Sequence, residues 1–207
     1  MSNQYAFYYN NAACTGCKTC EMACKDYNDL DVEYAYRKIF DMEGGTCVLE
    51  ANGTARSDVF IYHVTLACNH CDNPACIAVC PTTAMHKDGE TGLVSVDGSK
   101  CIGCGYCAMA CPYGAPTVDR EKGRSVKCDG CMSRVKAGQK PICVESCPLR
   151  ALDFGTVEEM SAKAPRADIA PLPEPSLTAP NLYVLNSACA RPSGSHDAAI
   201  TNMEEVR

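Results

Sequence analysis

Residues 101–112 read Cys101-Ile-Gly-Cys104-Gly-Tyr-Cys107-Ala-Met-Ala-Cys111-Pro112. Three thiolates at this spacing can converge on one iron–sulfur cluster from a single tight loop. The fourth, on Cys111, starts a short helix that points away from that loop and ligates a different cluster. The stretch therefore predicts one cluster in its own loop and requires a partner motif elsewhere in the chain.

Three further motifs of related spacing are present. They are Cys14-x2-Cys17-x2-Cys20-x3-Cys24, Cys68-x2-Cys71-x4-Cys76-x3-Cys80-Pro81 and Cys128-x2-Cys131-x11-Cys143-x3-Cys147-Pro148. In chain order the opening stretch is the third of four motifs, which together hold sixteen of the eighteen cysteines. The other two, Cys47 and Cys189, have no neighbouring cysteine and are predicted not to be ligands, with Cys47 a buried or half-buried thiol.

Composition supports metal clusters as part of the core. The 207 residues include no tryptophan and only four phenylalanines, so apolar packing alone would hold this chain weakly. The formal net charge is −6, and thiolate-bound clusters would make it more acidic, which argues against nucleic acid as a partner. No apolar run reaches membrane-spanning length, and residues 1–10 lack the features of a signal peptide. We therefore expect a chain made in the cytosol.

Other uses of the cysteines fit less well. Secreted disulfide scaffolds are usually much shorter and carry a signal peptide. A zinc-stabilised structural protein would use paired C-x2-C elements, whereas all four motifs here end in C-x3-C. A catalytic site acting alone is not predicted, because the sequence has no Ser-His-acid arrangement, phosphate loop or GxGxxG motif.

The motifs form an internal repeat that predicts an α+β fold of two nested, bacterial two-cluster ferredoxin-like units. The inner unit spans residues 58–111 and pairs the second and third motifs. The outer unit spans residues 1–57 and 112–155 and pairs the first and fourth motifs, with an insertion at about 26–57 that contains a hairpin. Predicted local elements are strands at 3–13, 58–66 and 149–155, a hairpin at 85–97, a basic helical segment at 132–140 and a helix opened by a capping box, Thr156-Val-Glu-Glu159.

Residues 156–207 are predicted to be a short helix followed by a proline-rich tail. Six of the twelve prolines lie between Pro165 and Pro192, and periodic patterning is lost. Such a segment is not expected to fold on itself. We expect it to wrap a larger partner subunit, with disorder as the alternative, so that deletion of residues 165–207 would leave the iron content unchanged.

Several segments carry a specific resemblance. They are Cys14-Thr-Gly-Cys-Lys-Thr-Cys20, Cys111-Pro-Tyr-Gly-Ala-Pro116, Lys127-Cys-Asp-Gly-Cys131 and Pro141-Ile-Cys-Val-Glu-Ser-Cys-Pro-Leu-Arg-Ala-Leu152. With the motif order, they resemble the four-cluster iron–sulfur subunit of the dimethyl sulfoxide reductase family of molybdopterin oxidoreductases. That resemblance implies a non-catalytic electron-transfer subunit for anaerobic respiration. Its implied partners are a catalytic subunit with a molybdopterin guanine dinucleotide cofactor and a quinol-oxidising membrane anchor. A formate dehydrogenase or hydrogenase assembly is the alternative.

The resemblance also implies which cysteines share each of four [4Fe-4S] clusters. Site A would use Cys14, Cys17, Cys20 and Cys147, and site B would use Cys24, Cys128, Cys131 and Cys143. Site C would use Cys68, Cys71, Cys76 and Cys111, and site D would use Cys80, Cys101, Cys104 and Cys107. Related nitrate reductase subunits have tryptophan at one position of the third motif and hold a three-iron cluster there. Cys104 predicts a full cubane in site D.

The resemblance places site A nearest the molybdenum and site D nearest the quinol. The complex is expected at a membrane, either on the cytoplasmic side or exported together with its partner. His70 is predicted to lie near a cluster or face solvent without being a ligand, since every site already has four cysteines. Lys18, Lys25 and Lys127 are expected at the solvated surface, with an effect on cluster potentials as the alternative.

Overall fold

The computed structural model describes residues 4–206, in which short helices and small sheets alternate. The helices are α1 (Thr19–Tyr27), α2 (Ala75–Ala78), α3 (Tyr106–Ala110), α4 (Met132–Lys136), α5 (Ile142–Glu145) and α6 (Val157–Ser161). The strands are β1 (Tyr5–Asn10), β2 (Lys38–Gly44), β3 (Cys47–Leu49), β4 (Ala55–Ser57), β5 (Phe60–Leu66), β6 (Met85–Lys87), β7 (Val94–Val96), β8 (Thr117–Asp119), β9 (Arg124–Val126), β10 (Leu152–Thr156), β11 (Leu182–Leu185) and β12 (Ala198–Ile200). This mixture of helices and strands agrees with the predicted α+β class.

Two three-stranded sheets frame the core. In the first, the central strand β1 pairs antiparallel with β10 and parallel with β11, so that Phe7 lies opposite Phe154 on one side and Leu182 on the other. In the second, β2 lies between β12 and β5, with Ile39 opposite Thr65. Apolar residues of both sheets form one buried cluster. The strands predicted at 58–66 and 149–155 are confirmed as β5 and β10. The strand predicted at 3–13 is found as β1 over the shorter range Tyr5–Asn10, and residue 3 lies outside the described residues.

Three two-stranded hairpins complete the sheets among the described residues: β3 with β4, β6 with β7, and β8 with β9. The first confirms the hairpin expected in the insertion, and the second confirms the one expected at 85–97. The capping box is also confirmed, because the Thr156 hydroxyl accepts from the Glu159 N–H and the Glu159 carboxylate accepts from the Thr156 N–H. The basic segment is helical over a shorter length than expected, since α4 ends at Lys136 and Gly138 has a φ of 76°.

The proline-rich tail packs on its own chain, so the expectation that it would not is wrong. Strand β11 adds to the edge of β1, and β12 adds to the edge of β2. Ile169, Leu172 and Val184 are buried in the main apolar cluster. The segment has no regular hydrophobic period because separate short pieces cover different surfaces, yet it buries enough apolar area to be held. Contact between the tail and a partner subunit stays a prediction.

The two cysteines outside the motifs have different surroundings. Cys47 lies at the start of β3 and is exposed, so the expectation of a buried or half-buried thiol is wrong. The reason is that the β3–β4 hairpin is exposed over both strands. Cys189 is partly buried, and its thiol donates to the Ile61 carbonyl at 3.4 Å.

Candidate iron–sulfur sites

The four cysteine loops share one backbone feature. Two residues after the first cysteine of each motif, φ is positive: 65° at Gly16, 45° at His70, 68° at Gly103 and 74° at Gly130. Glycine takes this conformation without strain. At Gly16 a larger residue would also collide, because a Cβ would lie 2.5 Å from Nδ1 of His63. The common turn indicates that the four loops close in the same way, with histidine replacing glycine in the second motif.

Site C is a cavity lined by all four of its predicted cysteines, Cys68, Cys71, Cys76 and Cys111. Apolar residues, among them Pro74 and Val94, form much of the remaining wall. Burial raises the pKa of the Cys71 thiol to about 11 and that of Cys76 to about 12. Four converging thiols in a largely apolar cavity fit a bound cluster, which would supply the positive iron that keeps them deprotonated.

Site D is a second cavity, lined by Cys80, Cys101, Cys104 and Cys107. Two backbone N–H groups donate to its sulfurs, Met85 to Cys80 at 3.4 Å and Ser125 to Cys101 at 3.3 Å. Cys104 is exposed to solvent. This site also fits a cluster, and it is open to the outside.

Sites A and B are built from the same pair of helices. Helix α1 carries Cys20 and Cys24, which are four residues apart and both buried on one face. Helix α5, which packs against α1, carries Cys143, and Cys147 follows it closely. The pair of helices therefore supplies two predicted ligands to each site.

In site B all four cysteines are buried. Burial raises the pKa of Cys24, and the nearby thiols of Cys128 and Cys143 raise it further. Burial likewise raises the pKa of Cys131 to about 12. The Gly130 N–H donates to the Cys128 sulfur at 3.4 Å. The structure thus groups the four thiols of site B away from water.

Site A is partly open. Cys20 and Cys147 are buried in the main apolar cluster, and Cys14 packs against it. Cys17 is exposed, and a hydrogen bond from Thr19 lowers the pKa of its thiol. The structure thus places Cys14, Cys20 and Cys147 in or against the same buried apolar cluster of side chains, and it places Cys17 at the protein surface.

A buried pair of basic side chains lies beside site C. His70 is fully buried, and its Nδ1 accepts from the Val94 N–H at 2.9 Å. Lys127 is also buried and donates from Nζ to the carbonyls of Val94 and Cys128. Burial alone would raise the pKa of Cys68, but the neighbouring side chains of His70 and Lys127 outweigh burial and lower it. The expectation of a surface position is therefore wrong for Lys127.

The tail holds the loop of site C in place. The Asn181 N–H donates to the Asn69 carbonyl at 2.9 Å, and its side-chain amide donates to the His70 carbonyl at 2.9 Å and the Asp72 carboxylate at 2.8 Å. Asn181 is fully buried. Sequence reasoning missed this residue, because nothing in the pattern of the tail links it to a loop more than a hundred positions earlier.

Arg37 is the second residue that sequence reasoning missed. It is buried between the ligands of sites A and B, and its Nη1 donates to the Thr65 hydroxyl at 3.0 Å. One sequence signal was present. Arg37 is two positions before Ile39, so it is expected on the same, core-facing side of the extended chain.

Other features of the described chain bear on function. Within residues 4–206, no three or more His, Cys, Asp and Glu side chains cluster tightly enough to hold a single metal ion. None of the helices in that range has the length and apolar character needed to cross a membrane.

Comparison with known families agrees with the clusters. Residues 59–157 match the model of a 4Fe-4S dicluster domain, and residues 11–29 match that of a 4Fe-4S binding domain. The first match covers the last three cysteine motifs, and the second covers the first motif.

Three curated relatives differ in how much of the chain they share. The B subunit of anaerobic dimethyl sulfoxide reductase from Haemophilus influenzae is 52% identical over 204 residues, 98% of this chain and 99% of its own length. The thiosulfate reductase electron transfer subunit PhsB of Salmonella typhi is 36% identical over 160 residues, 77% of this chain and 79% of its own length. The iron-sulfur subunit of the nitrate-inducible formate dehydrogenase of Escherichia coli is 34% identical over 156 residues, 72% of this chain and 53% of its own length.

Proposed function

The chain belongs to the family of iron–sulfur, electron-transfer subunits that includes the B subunit of anaerobic dimethyl sulfoxide reductase, and on this premise we propose a four-cluster relay through sites A to D. It is not catalytic by itself. The sixteen motif cysteines would hold four [4Fe-4S] clusters with the ligand sets predicted above. When bound, each such cluster accepts and releases one electron at a time.

The predicted ligand sets divide along the sequence as the nested arrangement requires. The eight cysteines of sites C and D all lie within 58–111, and the eight of sites A and B lie within 1–57 and 112–155. We propose these two ranges as the inner and outer ferredoxin-like units. The separate cavities of sites C and D, each lined by four cysteines of 58–111, and the shared helices of sites A and B support this assignment.

The chain's own residues would do three things in the relay. The loops hold thiolates in pre-set turns, burial keeps water from the thiols of site B, and an apolar wall surrounds much of site C. N–H groups from residues such as Met85 and Gly130 donate to the ligand sulfurs. Hydrogen bonds to sulfur and solvent exposure are the means by which a protein sets cluster potentials. No bond of a substrate is made or broken in this subunit.

One observation identifies the two ends of the relay: an exposed cysteine occurs in sites A and D, and none occurs in sites B and C. A relay needs accessible end sites and insulated middle sites. Exposed apolar side chains lie beside both ends, Met22 near site A and Ile102 and Met109 near site D. We propose that site A faces a molybdopterin catalytic subunit and that site D faces a quinol-oxidising membrane anchor. A partner could also contact exposed tail residues such as Leu177.

The formate dehydrogenase alternative has less support. The identity to that iron-sulfur subunit is lower, and the match spans about half of its length, whereas the match to the dimethyl sulfoxide reductase B subunit is nearly complete on both sides. The end-to-end match favours a partner that reduces an S-oxide or a related small molecule.

Co-purification tests the proposal. The tagged full chain, isolated from its native host under anaerobic conditions, should carry about sixteen irons with acid-labile sulfide, together with molybdenum and a large partner. The partner's substrate would then identify the complex. Zinc in place of iron, or a chain with no large partner, would refute the relay.

A further inference from the structure

Arg37 is the most deeply enclosed guanidinium for which the structure shows no carboxylate partner among residues 4–206. It lies just before β2, and its exposed fraction is 3%. Its only hydrogen-bond acceptor in that range is the Thr65 hydroxyl, and its Nε has none. Its Cζ lies 5.2 Å from the centre of the Phe7 ring. A buried, uncompensated guanidinium is strongly unfavourable, so a negative group must complete this site.

The charges around Arg37 are cluster ligands. Burial opposes its charge, yet the neighbouring thiols of Cys143, Cys20, Cys128 and Cys24 raise the pKa of Arg37 above its ordinary value. One of these thiols belongs to site A and three belong to site B. Thr65 links Arg37 to site A, because its hydroxyl lies 3.8 Å from the Cys20 sulfur and also accepts from Arg37. Arg37 thus lies at the junction of the two proposed clusters.

We propose that Arg37 is the internal counter-ion of sites A and B and that it sets their reduction potentials. This inference rests on the proposed function. A cubane with four thiolates is negatively charged, and one-electron reduction adds a further negative charge. A fixed cation beside it stabilises the reduced form more than the oxidised form, and therefore raises the potential. The interior position strengthens this effect, because salt and water screen it little.

Arginine suits this role better than lysine for two reasons. It stays charged under all conditions in which the protein is folded. Its fork of N–H donors can also bind Thr65 at one nitrogen and leave Nε–H for a sulfur acceptor. The unpartnered Nε is the feature expected of a donor whose acceptor is a cluster sulfur.

The test is an EPR-monitored potentiometric titration of the whole complex with Arg37→Gln. Arg56→Gln is the matched control, because Arg56 lies in the same insertion with 82% of its side chain exposed. With iron content unchanged, Arg37→Gln should shift the one-electron reduction equilibrium of two clusters at least tenfold toward the oxidised form, a fall of about 59 mV. The other two clusters and Arg56→Gln should move much less.

Two further variants keep the proposal falsifiable. Arg37→Lys retains the charge and should restore most of the potential, and Thr65→Val should give a smaller fall at the same two clusters. Unchanged potentials in Arg37→Gln with full iron would overturn the proposal, as would an equal shift in Arg56→Gln. If Arg37→Gln fails to load iron, Arg37→Lys decides: full loading at near-native potentials supports the charge, and an equal failure refutes it. A wild-type complex without four clusters would instead refute the relay itself.

Discussion

Sites B and D have the same predicted ligand chemistry in opposite surroundings. Every cysteine of site B is buried, and the guanidinium of Arg37 lies beside three of its thiols. In site D, Cys104 is exposed and only Cys107 is buried. Its sulfurs accept hydrogen bonds from backbone N–H groups of the neighbouring hairpins, at Met85 and Ser125.

The difference shows two ways of holding a negatively charged cluster. An interior site has no water to solvate its charge, so the chain must supply a fixed cation and a complete wall. A surface site can rely on solvent, counter-ions and whatever partner covers it. Site B should therefore depend on distant parts of this chain, and site D on its immediate loops.

Removal of the tail should have the largest effect of the changes considered, and it should affect buried sites more than the exposed site D. Deletion of residues 165–207 removes β11 from the edge of β1 and the Asn181 contacts to the loop of site C. The cavity of site D has no lining residue from this segment. We expect iron to fall from about sixteen to about four or fewer, as measured by iron analysis and EPR. This reverses the expectation drawn from the proline content, and a truncated chain with full iron would restore that expectation.

Replacement of one ligand in each site should give unequal losses. Cys143→Ser breaks a buried site and leaves Arg37 without part of its counter-charge, a cost of about 3–5 kcal/mol, so we expect loss of the whole cluster and lower thermal stability. Cys104→Ser should lose a single iron, convert site D to a three-iron form and impair quinol oxidation while the chain stays folded. Iron analysis, EPR and thermal unfolding distinguish these outcomes. Four intact cubanes in Cys104→Ser would exclude Cys104 as a ligand.

Asn181→Ala tests the same dependence at one residue. The side-chain amide donates to the His70 carbonyl and the Asp72 carboxylate in a buried setting, and its loss should cost about 2–4 kcal/mol. The unfolding midpoint should fall, and site C should lose its cluster faster than site D. Asn186→Ala is the control, because Asn186 is exposed and donates one bond to the Asp168 carbonyl. Equal effects of the two variants would contradict the role of Asn181 in holding the loop of site C.

Local features of the fold could be predicted from the sequence because they depend on near neighbours. Cysteine spacing limits which thiols share a loop, the β-branched and aromatic run before Cys68 predicts β5, and Thr156 with Glu159 predicts the helix start. Each of these signals lies close in the sequence to the structure that it determines.

Features that join distant segments could not be predicted in this way. Arg37 meets Thr65 across β2 and β5, and Asn181 meets His70 across most of the chain. A buried polar residue in a polar insertion or a proline-rich tail has the same sequence appearance as an exposed one. The only local indication was that Arg37 lies two positions from the core-facing Ile39. This spacing identifies the side of the strand on which Arg37 lies, and it does not identify a partner.

Lys18→Gln should give the smallest effect and sharpen the contrast between surface and interior charge. Lys18 lies between Cys17 and Cys20 of site A, keeps about a third of its side chain exposed and pairs with Glu205. Because exposed charges are screened, we expect its removal to shift the reduction equilibrium of one cluster about threefold at most. That shift should vanish at 1 M salt, where the screening length is about 3 Å, whereas the shift in Arg37→Gln should persist. A salt-independent shift in Lys18→Gln as large as that of Arg37→Gln would show that surface lysines set these potentials as strongly as the buried guanidinium.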